Sequence, residues 1–260
     1  MAHQNTGKTI TSIWLPHGNS DKGHTSLHME GLKHDTHALL YGERMVEFLK
    51  LKGSFAQLKK VVRVGNFRKT YFLKHRHFYE ELLPAHPFIL YAPTWKDQEG
   101  GSSAHAVLPF LLENIPEPYT LVIKPHPNLT DGVVEKLLLR AEITPSVYVL
   151  HSFPPVYPLL DKMAFYIGDT SSIGYDALFF NKPLFFIAPP GKDLSHPSFH
   201  LFRAGHVLTP SDYPLLYTKL VKEMPYEGIA FRENLYLQTY GPDKPWEQIY
   251  AEIKEAFLES

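Results

Sequence analysis

Apolar residues fall in eight short runs along the chain: Ile10–Leu15, Ala38–Tyr41, Val61–Val64, Phe88–Tyr91, Leu121–Ile123, Val147–Leu150, Ala164–Ile167 and Leu184–Ile187. Most are continuous rather than alternating, the pattern of strands buried on both faces. Between several of them, apolar residues return at helical spacing over Arg44–Leu51, Tyr71–Leu83, Val107–Asn114, Val133–Ala141 and Ile173–Phe180. Lys244–Leu258 closes the chain as an amphipathic helix with Pro245 near its first turn, a position that tolerates proline. Strands alternating with helices predict an α/β fold of parallel sheets with helices on both faces. Two prolines in Leu83-Pro84-Ala85-His86-Pro87 separate a helix end from a strand start. The expected organisation is a unit over 1–84 with few strands, a larger Rossmann-like unit over 85–243, and a C-terminal helix over 244–260.

Composition narrows the chemistry. The chain has 260 residues and no Cys, which removes disulfides, thiolate metal sites and cysteine nucleophiles and fits a reducing compartment. A formal charge of −1 supplies no general field for nucleic acid or an anionic membrane, so no nucleic-acid partner is expected. No apolar run approaches the roughly 18–20 residues that span a bilayer, and the opening MAHQNTGKT lacks a signal-peptide core. His24 and His28 share a helix face at i, i+4, but no carboxylate or third histidine completes a ligand set, so neither metal nor cofactor is expected. G-x-S-x-G, P-loop and G-x-G-x-x-G signatures are all absent.

Four polar loops follow predicted strands, where ligands sit in open α/β sheets. The first, Pro16–Gly23, carries His17, a proton carrier near neutral pH, and Lys22, a partner for an anion. The second, Ala92–Lys96, offers Thr94 to a phosphate or ribose and Lys96 to a negative charge, with Trp95 reading better as a wedge between sheet and helix. In the third, Lys124-Pro125-His126-Pro127, two prolines fix the backbone around His126, the pre-set geometry that an acid or an oxyanion partner requires. The fourth, Gly168-Asp169-Thr170-Ser171-Ser172, places hydroxyls and backbone N–H groups at a helix start. They serve a phosphate or simply cap the helix.

In order, HGNSDKG, VGNFRK (Val64–Lys69), YAPTWK, VIKPHP and GDTSSIGYDALFFNKPLFF resemble the CDP-glycerol glycerophosphotransferases, the teichoic-acid primases and polymerases. The signatures of that family look like HG-T-P-x-K, G-x-P-R-N-D, P-T-W-R, K-x-H-P and D-Y-S-S followed by F-D and K-P. The resemblance runs from about Ser12 to Ile187 and departs from the pattern at Asn19, at Lys69-Thr70 and at Lys96, where the family has Arg. Family members also carry a further stretch of acceptor domain ahead of the first motif.

The resemblance implies a GT-B architecture and the transfer of a polyol phosphate from a CDP-linked donor to a lipid-linked or glycan acceptor, with release of CMP. His17 and His126 match the family's two essential histidines. Lys22, Arg68, Thr94, Lys96, Lys124, Asp169, Thr170, Ser171, Ser172 and Asp176 fall at substrate-side positions. It further implies a cytoplasmic protein, peripheral at the inner face of the membrane. A GT-B nucleotide-sugar transferase or epimerase, and a nucleotide-binding module without catalysis, are the rival readings. A short first sheet exposes edges and apolar surface, so residues 1–84 are expected to self-associate or to dock on a membrane-bound acceptor or another subunit.

Overall fold

The computed structural model describes residues 12–21, 32, 35–95, 102–152, 155–222 and 228–257. Its contacts separate two compact units. The first takes the stretches that end at Asn19 and at Tyr71, together with the chain from Leu237. The second holds Ser20, Asp21 and Phe72–Tyr236.

The second unit is a doubly wound sheet. Its strands are β4 (Phe88–Ala92), β5 (Thr120–Ile123), β6 (Val147–Val149), β7 (Phe165–Gly168), β8 (Leu184–Ile187) and β9 (His206–Leu208), all parallel in the order β6-β5-β4-β7-β8-β9. Every residue of β4, β5, β7 and β8 is buried, as their unbroken apolar runs require. Ile89, Tyr91, Leu121, Ile123, Phe165 and Phe185 face helices α3 (Ala104–Leu111), α4 (Gly132–Glu142) and α7 (Leu216–Lys222) in one core. On the other face Phe186 stacks on Phe202 at 5.1 Å between centroids. Helix α8 (Ile229–Tyr240) brings Arg232, 1% exposed, to donate to the carbonyls of Ala204 at 2.6 Å and Lys182 at 2.7 Å.

The first unit is smaller: β1 (Ile13–Trp14), β2 (His37–Leu40) and β3 (Lys60–Arg63) run parallel in that order. Ala38 and Leu40 pack on Met45, Val46 and Leu49 of α1 (Glu43–Leu51). Val62 and Val64 pack on Ile249 of α9 (Trp246–Phe257), and Lys60 Nζ donates to the Ala256 carbonyl at 2.6 Å. Gly42 lies so close to the Thr239 carbonyl that a side chain there has no room.

All eight predicted strands are present, with ends shifted by a few residues. β9, α7, α8 and α5 (Val156–Lys162) have no counterpart in the sequence reading. The stretch read as one helix over Tyr71–Leu83 is α2 (Phe67–His75) followed by a 3-10 turn, Arg76–Leu82. The compact units also part from the expected division after Pro84 and after Asp243. Phe72 packs on Tyr157 and Phe180, and Arg76 pairs bidentately with Asp161, so 72–84 group with the second unit while α9 returns to the first. Prolines mark where elements end, whereas packing decides to which core they belong.

Candidate active site

The sheet of the second unit changes direction at β4. From there the chain steps outward through β5 and β6, then crosses to β7, β8 and β9 on the other side. The carboxyl ends of β4 and β7 therefore flank the switch point at which doubly wound sheets bind ligands. Adjacent strands lie about 4.8 Å apart, so the loops after β5, β4 and β7 leave one edge of the sheet within about 10 Å. These are three of the four loops singled out from the sequence.

After β5, Lys124 sends Nζ to the Leu150 carbonyl at 3.3 Å, toward β6, and partial burial lowers its pKa. His126 is half-buried, and its Nδ1 accepts the Asn128 N–H at 3.1 Å. Because Nδ1 serves as acceptor, the neutral ring carries its proton on Nε2. Its ring stacks on Trp95, with centroids 6.0 Å apart and planes 24° apart. An open groove of about 500 Å3 beside them is lined by Trp95 and Pro127–Asp131.

After β4, Thr94 is buried and its N–H donates to Asp169 Oδ1 at 2.9 Å. After β7, Asp169 is 3% exposed, and its other oxygen takes the N–H and hydroxyl of Ser103. Gly168 packs against the Tyr166 hydroxyl and leaves no room for a Cβ. The Thr170 carbonyl accepts from Ser20 Oγ at 3.5 Å, and buried Ser171 accepts the Ile173 N–H on Oγ at 3.4 Å. Ser172 adopts helical angles and makes no side-chain cap, so the simple capping account does not describe it. The helix that follows, α6, is only Ile173–Ala177 before a 3-10 turn. Asp176 is 1% exposed and accepts the Tyr157 hydroxyl at 2.8 Å, inside the packing of the unit.

In the first unit, His17 is exposed, and Arg68 donates from Nη1 to the His17 carbonyl at 2.9 Å while lying over the Tyr41 ring. Lys69, 1% exposed, is paired with Asp243, so the position after Arg68 serves the fold. Lys22 and Lys96, like His24 and His28, lie outside the described residues.

The sequence reading missed Ser103 and Asp21. Asp21 is 6% exposed and accepts both the Tyr175 hydroxyl at 2.6 Å and the Leu201 N–H at 3.0 Å. Within HGNSDKG nothing distinguishes a buried carboxylate from a solvated turn residue. Among the described residues no group of His, Asp and Glu is arranged to hold a metal, and no helix is long and apolar enough to cross a membrane.

Solved structures place this architecture in a class. The wall teichoic acid polymerase TagF matches with a TM-score of 0.61 at 17% identity, over 88% of this chain and 61% of that one. UDP-GlcNAc 2-epimerase from Neisseria meningitidis, bound to UDP-GlcNAc, matches with a TM-score of 0.50 at 16% identity, over 87% and 62%. S. aureus MnaA with UDP matches with a TM-score of 0.52 at 16% identity, over 86% and 61%. The chain thus spans about three fifths of each, and at these identities the likeness is one of fold: GT-B-like, two Rossmann-like parallel-sheet units with the smaller sheet first.

No curated protein matches. Residues 80–196, less than half of the chain, match the model of the family described as CDP-Glycerol:Poly(glycerophosphate) glycerophosphotransferase, and that segment is similar to this family. The match covers the loops after β4, β5 and β7 and leaves out the motifs around His17 and Arg68.

Proposed function

We propose that the chain transfers a glycerol phosphate, or a closely related polyol phosphate, from a CDP-linked donor to an acceptor hydroxyl. One observation carries this reading: the segment that matches the glycerophosphotransferase family supplies the two loops that flank the switch point of the second sheet and the neighbouring loop after β5. The acceptor oxygen attacks the phosphorus that bears the polyol. A new P–O bond forms, the bond to the bridging oxygen breaks, and CMP departs with that oxygen. Nε2–H of His126 and the ammonium of Lys124 stabilise charge on the transferred phosphate or on the departing CMP. His17 takes the acceptor proton. Thr170, Ser171 and Ser172 bind the diphosphate, and the acceptor is a lipid-linked or glycan hydroxyl at the cytoplasmic side of a membrane.

The test is CMP release from CDP-glycerol, followed by 31P NMR with an acceptor polyol present. Turnover that falls about a hundredfold in His126→Ala, the low end for a positioned acid or base, supports the assignment. Undiminished turnover in that variant contradicts it.

A further inference from the structure

The sequence sets Asp169 among the hydroxyls of the turn, as though it faced the substrate with them. Its side chain is used differently. Oδ1 accepts the Thr94 N–H at 2.9 Å, and Oδ2 accepts the N–H and the hydroxyl of Ser103 at 3.0 and 2.8 Å. Ser103 Oγ lies 2.8 Å from the Tyr91 hydroxyl, and both residues are buried. One carboxylate at the end of β7 thus holds two points of the neighbouring β4 segment, the exit from the strand and the entry to α3. Only a carboxylate accepts on both oxygens, since an amide offers one acceptor and would set a donor against Ser103.

The consequence reaches the histidine through one peptide. Thr94 precedes Trp95, and the Trp95 ring stacks on His126. The same ring is held at its edge by the Asn128 N–H, which donates to Nδ1. A wedge that shifts by an ångström displaces the ring it touches, and displacement on that scale costs a reacting group about a hundredfold in rate.

We propose that Asp169 is a positioning residue: its carboxylate fixes Thr94 and Ser103 so that Trp95 holds the His126 ring in place, and it does not itself touch the donor. The inference rests on the role given to His126 under the proposed function.

Asp169→Asn tests it by two routes. In the first, Trp95 emission is isolated from the other two tryptophans by subtracting Trp95→Phe, and the His126 ring nitrogens are followed by 15N NMR, assigned with His126→Gln. Both signals should move in Asp169→Asn while the emission of Trp14 and Trp246 stays constant. In the second, kcat for CMP release should fall about a hundredfold with KM for the donor held within about threefold, the signature of lost orientation rather than lost binding. A raised KM with kcat retained would place the carboxylate on the donor and overturn the proposal, and so would unmoved Trp95 and His126 signals. Should Asp169→Asn fail to fold, Ser103→Ala removes a single bond of the clamp and must shift the same two signals in the same direction, or the proposal fails. If the unaltered chain releases no CMP, the reaction assignment falls, while the spectroscopic route still decides the positioning role.

Discussion

The two sheets follow one design and differ in how completely they carry it out. In the second unit four adjacent strands are buried at every residue, and the loops at their ends are tied by side chains: Asp169 to Thr94 and Ser103, and Trp95 against His126. In the first unit β2 alternates between buried and half-buried positions, β3 buries only Val62 fully, and exposed His17 is held through its backbone carbonyl. A sheet packed on both faces fixes its strand ends, and fixed strand ends orient side chains. Orientation is therefore built into the second unit, whereas at exposed His17 the Arg68 contact reaches the backbone and not the ring.

The largest effect should come from the cores themselves. Phe185→Ala, in fully buried β8, should destabilise by about 3–5 kcal/mol, and Leu40→Ala in the three-stranded sheet should fall near 2 kcal/mol, the low end for Leu, because a smaller shell relaxes more readily. Urea midpoints with unchanged m-values check both, and equal losses would dissolve the contrast. Next come the histidines. His17→Ala should lower turnover about a hundredfold, equivalent to about 2.7 kcal/mol of barrier, without shifting the melting temperature, because its side chain is exposed. A sharp fall in melting temperature would make it structural.

A smaller effect is expected at the turn. Replacing Ser171 and Ser172 together by Ala should weaken donor binding by about 1–3 kcal/mol, the range for hydrogen bonds to a charged group. Ser171 is buried and bonded to Ile173, so the single variants should divide unevenly, with Ser171→Ala costing stability and Ser172→Ala costing affinity. The smallest effect lies away from the site. The Lys219 ammonium, helped by the Thr209 N–H, pulls the Asp212 carboxyl down to about 2. Its folded pKa lies below the unfolded value near 3.9, so its contribution is complete above about pH 4 and is lost as the pH falls toward 2. Melting temperature followed through that window should decline less in Asp212→Asn than in the parent.

Much of this was legible in the residues. Unbroken apolar runs gave the strands because burial on both faces leaves no other pattern, and the loops after β4, β5 and β7 stood out because polar residues follow those runs directly. Strand β9, three residues long and opening on His206, has too few apolar residues to register. The turn residues proved harder to read. Asp169 and Asp176 look like ligands in a Ser-rich motif, yet their hydrogen-bond partners are Thr94, Ser103 and Tyr157, up to 75 residues away in sequence. A carboxylate's partner is settled by tertiary packing, and no local pattern reports it.

Fold alone does not separate the proposed donor from its rivals, since TagF and two proteins solved with UDP compounds share it at 16–17% identity. Isothermal titration of the chain with CDP-glycerol, and separately with UDP-N-acetylglucosamine, separates them. CDP-glycerol should bind saturably, be displaced by CDP and bind more weakly to the Ser171, Ser172 double variant, with UDP-N-acetylglucosamine bound at least tenfold more weakly, about 1.4 kcal/mol. Tight binding of the UDP-sugar with none of CDP-glycerol would contradict the proposed donor.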